Sequence, residues 1–311
     1  MEYDKKMIKF SVVIPLYNKE KEIVDTINSV LEQSYKADEI IVVNDGSTDG
    51  GANRIKEIFK EKVTIINKKN EGVSSARNRG IKEAKNEYIC LLDGDDLWKE
   101  SFLKEIASLI KKFPNAIFYS TAHTFVNEEG HEFNKEKEKI YQKEIYNFAK
   151  AFSKNYTLVN SSSVCIRKSS QILFPKNEKK GEDICVWLEL GLKGSLAFSS
   201  TPLSIYKLDA SNRSSTIHKE AIVPCPIKWF YKNRDELKAH TYYDSIKKFI
   251  YSNIFITVYG GFSLSKNHIS IDAVIDLMKQ NNDRFYLLLY PAYWIPISLL
   301  EKIKKIRRSI R

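Results

Sequence analysis

Apolar and polar positions follow a regular rhythm through about residue 120. Lys9-Phe-Ser-Val-Val-Ile-Pro reads as a strand ending at Pro15. Ile23, Val24, Ile27, Val30 and Leu31 then recur at i, i+1, i+4, i+7 and i+8, the single apolar stripe of a helix. Glu39 to Val43 is a second strand. Asp49 is placed to cap a helix whose buried face includes Ile55, Ile58 and Phe59. Val63 to Ile66, a helix over Ser74 to Ala84, and Tyr88 to Leu92 continue the alternation. Phe102, Leu103, Ile106, Leu109 and Ile110 mark another helix, stopped before Pro114, and Ala116 to Tyr119 is a fifth strand. Strands and helices alternating at this spacing predict βαβ units: a mostly parallel α/β sheet with helices on both faces.

Such sheets bind ligands beyond the carboxyl ends of their strands, and the polar segments of this chain fall there. Tyr17-Asn18 follows strand one, and Asn44-Asp45-Gly-Ser-Thr-Asp49 follows strand two. Asn70-Glu-Gly72 follows strand three, and Asp93-Gly-Asp95-Asp96 follows strand four. Clustered carboxylates repel one another, and a hard divalent cation relieves that repulsion while sharing its shell with substrate phosphates. A metal–diphosphate site at the tip of the fourth strand is therefore expected, with Gly94 allowing a sharp bend; a polar turn with a capping Asp is the plain alternative.

Asp45 fits a base or ribose contact, or an Asx-turn. Arg77, early in its helix, has the planar fork that suits phosphate, or is a helix-surface cation. Glu182-Asp183 opens a helix carrying Ile184, Trp187, Leu188 and Leu190; capping explains one acid, and the second points to a general base. No GxGxxG follows the first strand, and GxxxxGK[ST] and HExxH are absent, which removes support for dinucleotide, P-loop and zinc-protease readings.

Composition adjusts this picture in three places. Hydrophobic residues make up 43% and charged residues 29% of the 311, enough for a sizeable core. The start, Met1-Glu-Tyr-Asp-Lys-Lys, lacks a secretory pattern, and Cys90, Cys165, Cys185 and Cys225 are scattered; buried reduced thiols in a cytoplasmic protein are expected. Net charge is +11, and residues 301–311 carry six Lys/Arg against Glu301 alone. The preceding Phe285–Leu300 stretch is apolar, rich in Tyr and Trp, and shorter than the roughly 20 residues that span a bilayer. Aromatic rings beside a basic cluster suit peripheral contact, through 285–311, with an anionic membrane on its inner face; a core helix with a solvated tail is the alternative. No motif supports nucleic acid as a partner. Residues 127–147 read as an exposed charged hairpin or helix, and the pattern is irregular from about 207, then helical from Tyr242.

Five segments in order, Val12-Val-Ile-Pro15-Leu-Tyr17-Asn18, Val43-Asn-Asp45-Gly-Ser-Thr-Asp49-Gly, Gly72-Val-Ser-Ser-Ala-Arg77-Asn78-Arg-Gly80, Leu92-Asp93-Gly-Asp95-Asp96-Leu-Trp98 and Gly181-Glu182-Asp183, closely resemble the family 2 glycosyltransferases. The resemblance covers about residues 8–207. It implies a GT-A domain over 1–207, a Rossmann-like nucleotide-diphospho-sugar transferase core, followed by a mainly helical extension over 208–311. It also implies an inverting transfer from a nucleoside-diphosphate sugar, a UDP-sugar by preference, with Mn²⁺ or Mg²⁺. Carried over by position, Pro15, Tyr17 and Glu20 border the nucleobase, Asp45 binds base or ribose, and Arg77 approaches the nucleotide. Asp95 is the first choice as metal ligand, with Asp93 beside it and nearer the ribose. Asp183 matches the base and Glu182 its neighbour. Arg213 is the counterpart of a diphosphate-contacting residue, with His218 behind it. The QxxRW signature of processive synthases is absent, so a single sugar added to a glycan or lipid-linked acceptor, as in bacterial surface polysaccharide or lipooligosaccharide assembly, is expected. Two other classes stay open: a Mg-dependent phosphohydrolase using Asp93 as nucleophile, and a non-catalytic sugar-nucleotide-binding protein.

Overall fold

The structure, a computed structural model, describes residues 7–127, 129–133, 141–155, 158–178, 180–208, 223–259 and 268–289. They divide into two compact units. The first holds 7–177 and 185–208, and the second 178–184 and 223–289. Arg213, His218 and the basic tail lie outside the described residues.

The first unit alternates as its sequence predicts: β1 (Phe10–Leu16), α1 (Ile23–Leu31), β2 (Glu39–Asp45), α2 (Gly51–Phe59), β3 (Thr64–Lys68), α3 (Val73–Glu83) and β4 (Tyr88–Leu91). After a short β5 (Leu97–Trp98) come α4 (Phe102–Lys112), β6 (Phe118–Val126), β7 (Glu132–Phe133), β8 (Gln142–Ile145), α5 (Phe148–Lys154), β9 (Val164–Arg167), α6 (Glu182–Lys193) and β10 (Leu196–Lys207). One ten-stranded sheet runs β3-β2-β1-β4-β9-β6-β10-β5, with β7 on β6 and β8 on β10.

The parallel character belongs to β3-β2-β1-β4 and to the β6–β10 pair. Between them β9 runs antiparallel to both β4 and β6. The charged stretch over 127–147 supplies β7 and β8 among its described residues.

Side chains on a strand alternate between faces, and β1 uses both. Phe10, Val12, Ile14 and Leu16 join one apolar cluster with Ile23 and Ile27 of α1, Ile55 of α2, and Phe102, Leu103 and Ile106 of α4. Val13 points the other way, against α3, so closely that a β-carbon on Gly80 would fall 2.3 Å from its Cγ1. Helices therefore cover both faces of the parallel half; β1, β2 and β4 are buried along nearly their whole length, while the edge strand β3 is exposed or half-buried throughout.

Cys90 and Cys165 face each other across β4 and β9 as free buried thiols. Cys185 and Cys225 are disulfide-bonded, which corrects the expectation of four reduced thiols; scattered spacing in the sequence carried no sign of it.

Among its described residues the second unit contains the start of α6 and four further helices: α7 (Cys225–Lys232), α8 (Arg234–Lys238), α9 (Tyr243–Tyr259) and α10 (His268–Gln280). The 3-10 turn Arg284–Leu288 follows. Helix is thus already present from Cys225 among the described residues, before the Tyr242 read from the pattern; α7 and α8 are too short to show an apolar period. Among the described residues no helix is long and apolar enough to cross a membrane.

Candidate active site

Parallel register puts the carboxyl ends of β1 to β4 on one rim. Leu16 pairs with Asn44, Asp45 with Lys68, and Val13 with Leu91. The acidic turn leaves β4 at this rim. Asp93 keeps 27% and Asp95 19% of its side-chain surface open to solvent. Each faces a cation. Arg77 Nη2 donates to Asp93 Oδ1 at 2.7 Å, and Lys19 Nζ lies 2.7 Å from Asp95 Oδ2. Arg77 is itself buried, with its guanidinium 5.0 Å from the centre of the Phe174 ring. Burial, followed by repulsion from Asp93, pushes the Asp95 carboxyl above the usual range, and Lys19 opposes the shift.

Asp96, the third acid of the cluster, points inward. It is buried, accepts from Ser162 Oγ at 2.5 Å and from Lys207 N at 3.2 Å, and burial holds its carboxyl well above the normal value. Ser162 Oγ also accepts from Asp93 N at 3.1 Å, and Ser162 O accepts from Trp98 Nε1 at 2.6 Å. One serine therefore fixes both ends of the turn. Gly94 is required by a close approach: a β-carbon there would sit 2.9 Å from Pro15 O, and Thr26 Oγ1 donates to Gly94 O at 3.1 Å.

The β1 and β2 loops are tied to each other. Asn18, at φ +52°, accepts through Oδ1 from Thr48 N at 2.8 Å, and its own N donates to Ser47 Oγ at 3.1 Å. Glu20 Oε2 accepts from Gly50 N at 3.1 Å, while Glu20 N donates to Asp49 Oδ2 at 2.9 Å. Gly50, not Asp49, is the N-cap of α2 and no side chain caps it; Asp49 sits one residue earlier, and its Oδ1 accepts from Gly51 N, the first residue of the helix, at 3.1 Å. Pro15 is buried in β1, and Tyr17 is 45% exposed at the rim.

Asp45 is buried at the end of β2. Its carboxylate accepts from Lys68 Nζ at 2.5 Å, Glu71 N at 3.1 Å and Gly72 N at 2.8 Å. A carboxylate has about four acceptor directions, and three are taken here by the chain itself, so this acid shapes the β3–α3 loop. Gly46 beside it has φ +74°, and a β-carbon there would lie 2.8 Å from Asn70 N.

The fold thus collects Pro15, Tyr17, Glu20, Asp45, Arg77, Asp93 and Asp95 along one rim of the first unit. Glu182 and Asp183 open α6 and group with the second unit. Asp183 Oδ1 accepts from Ile184 N at 2.8 Å. Sequence reasoning missed Lys19, Lys68 and Ser162. A cation directly after Tyr17-Asn18 and the serine run Ser161–Ser163 were the available signals.

The acid pair suits a cation that substrate oxygens help to hold. Asp93 and Asp95 are both partly open and mutually repelling, and hard oxygen donors match Mg²⁺ or Mn²⁺. Among the described residues no group of three His, Cys, Asp or Glu could form a cage from protein alone.

Comparison with known proteins gives a consistent result. The family described as glycosyl transferase family 2 matches residues 11–169. A Bacillus subtilis (strain 168) glycosyltransferase named for teichuronic acid biosynthesis, TuaG, is 31% identical over 218 residues, covering 68% of this chain and 83% of that protein. An uncharacterized glycosyltransferase of Rickettsia bellii (strain RML369-C) is 33% identical over 205 residues, 66% of this chain but 29% of its own length. The chain spans about a third of the Rickettsia relatives it matches. Among solved structures, S. aureus TarS 1-349 in complex with UDP-GlcNAc aligns with TM-score 0.71 at 20% identity, covering 98% of this chain and 93% of that one.

Proposed function

The chain belongs to glycosyl transferase family 2, and from that premise we propose that it moves one sugar, with inversion, from a UDP-sugar to a glycan or lipid-linked acceptor in bacterial surface polysaccharide or lipooligosaccharide assembly. Its fold is GT-A, with a helical C-terminal region. The observation that carries the reading is the acidic turn after β4, where Asp93 and Asp95 stand partly open with Arg77 and Lys19 beside them. The UDP-GlcNAc in the TarS structure supports the donor class, and the names of TuaG and of the Erwinia amylovora amylovoran biosynthesis glycosyltransferase AmsB support the pathway class.

In this reading Asp95, with Asp93, would hold a divalent cation, whose charge would balance that of the diphosphate. Arg77 holds Asp93 in place and faces the nucleotide. Tyr17 and Pro15 border the base, Asp45 fixes the loop that meets it, and Glu20 keeps the β1 and β2 loops in register. Arg213 is assigned the diphosphate contact by its place in the family pattern alone. Asp183 takes the proton from the acceptor hydroxyl as that oxygen attacks the anomeric carbon; the bond to the diphosphate breaks on the opposite side, and UDP leaves. Glu182 supports the base. The basic segment 285–311 keeps the enzyme on the inner face of an anionic membrane.

A panel of nucleotide sugars, screened for Mn²⁺-dependent hydrolysis and thermal stabilisation, tests the donor. Stabilisation by UDP-sugars is expected; hydrolysis of generic phosphate esters with no response to any nucleotide sugar overturns the reading. Asp183→Asn should lower transfer by roughly 10²–10⁴-fold with UDP affinity intact, the range of general-base help. A variant that keeps most of its turnover removes Asp183 from the role.

A further inference from the structure

The second unit carries a cleft of about 680 Å³ that the transfer chemistry above does not use. One wall is a stripe of α9. Asp244, Lys247, Lys248, Tyr251 and Phe255 recur at i, i+3, i+4, i+7 and i+11, so they share a helix face. The opposite face of the same helix, Ile246, Phe249, Ile250 and Ile254, is buried. The other wall is Phe285, in the 3-10 turn.

The floor is aromatic and held firmly. Tyr251 and Phe285 stack with ring centres 4.3 Å apart, and Lys247 Nζ lies 5.4 Å from the Tyr251 ring centre. A single buried carboxylate fixes both rings. Asp283 accepts from the Tyr251 hydroxyl and from Tyr231 Oη at 3.0 Å through Oδ2, and from Phe285 N at 3.1 Å through Oδ1. Burial, then the bond to Asp283, raises the Tyr251 hydroxyl pKa and keeps that donor protonated. The rings are thus set before any ligand arrives, which lowers the ordering cost of binding.

Three chemistries meet in this cleft: flat aromatic faces, two ammonium groups and one carboxylate. Aromatic faces take the C–H side of a sugar ring, lysines take an anionic substituent, and Asp244 accepts from sugar hydroxyls. A lipid surface suits the first two, but Asp244 would face anionic headgroups with like charge. We infer that this cleft is a binding subsite for an anionic glycan, a sugar chain bearing carboxylate or phosphate groups. The inference extends the proposed transfer by naming the chemical class of the acceptor and the surface that holds it.

The test is calorimetry on the full chain with three oligosaccharides of equal length: hexuronate, phosphate-substituted and neutral. Phosphatidylglycerol vesicles and UDP with Mn²⁺ are titrated in parallel. The anionic chains should bind at least tenfold tighter than the neutral one, and a Lys247→Ala/Lys248→Ala variant should lose about tenfold, the size two exposed ion pairs allow. Phe285→Ala should weaken all three glycans roughly fivefold through the lost ring contact; Phe285→Leu is the substitute if that variant unfolds. Equal binding of neutral and anionic chains, or an unaffected lysine double variant, overturns the subsite. Loss of vesicle binding alone in that variant replaces the glycan with a membrane and also overturns it. UDP affinity reads the other question: glycan binding without UDP binding leaves the subsite standing and removes the proposed transfer, and the reverse result does the opposite.

Discussion

Two regions of this molecule place carboxylates in opposite settings. At the rim of the first unit, Asp93 and Asp95 are partly open and face cations, Arg77 and Lys19. In the second unit, Asp283 is 6% exposed and takes its hydrogen bonds chiefly from neutral donors, two tyrosine hydroxyls and a backbone amide; Arg234 stands farther off, at 3.8 Å. The rim acids keep acceptor surface available and repel each other, so a bound cation improves their energy. Asp283 has its partners already, so it contributes to shape and stability. Acids with solvent access keep acceptor surface beyond their ion pairs, whereas an acid surrounded by hydroxyls is placed to hold.

The comparison breaks most visibly at Asp95. Asp95→Ala should reduce turnover by roughly 10²–10³-fold, the cost of losing one positioned electrostatic group, with little change in melting temperature. UDP affinity that is the same with and without Mn²⁺ in both proteins would count against the assignment. Asp283→Ala should do the reverse: it strands two tyrosine hydroxyls and one amide and should cost about 3 kcal/mol of stability in a urea titration, while UDP affinity of the folded fraction is unchanged. A loss of nucleotide affinity there would erase the distinction between the regions. Smallest is Gly94→Ala. The added carbon meets the Pro15 carbonyl at 2.9 Å, and relief of that overlap should cost about 1–2 kcal/mol. It should also displace the Asp93–Asp95 pair, so turnover should fall further than stability alone explains; equal losses would show that the turn tolerates movement.

The parallel half was legible because its signals are local. Each strand of β1 to β4 is a short apolar run, each intervening helix has one stripe, and the polar segments fall at strand ends, so the rim follows from topology. The acidic turn was legible for the same reason. Its partners were not: Lys19 reaches Asp95 from 76 positions away in the chain, and Ser162 reaches Asp96 from 66 positions away. The position of β9 was equally hidden, because Val164–Arg167 is short, and its antiparallel pairing with β4 and β6 is set by long-range contacts. Gly94 was read as a bend, but its reason is the Pro15 backbone against it. In the second unit nothing local in the sequence marks Asp283; only the fold brings Tyr231 and Tyr251 to it.

The placement of β9 bears on how the protein can be cut and how it is made. A chain ending at Val126 would carry every acid of the rim, yet would leave β4 as an open sheet edge and lack the serine that pins the turn. The βα repeats at the amino terminus are therefore not a detachable nucleotide-binding module. Within the first unit, a cut that keeps the sheet whole falls beyond Lys207, where β10 closes the sheet on β6, and on the ribosome the acidic turn gains its anchor only after the loop holding Ser162 has emerged.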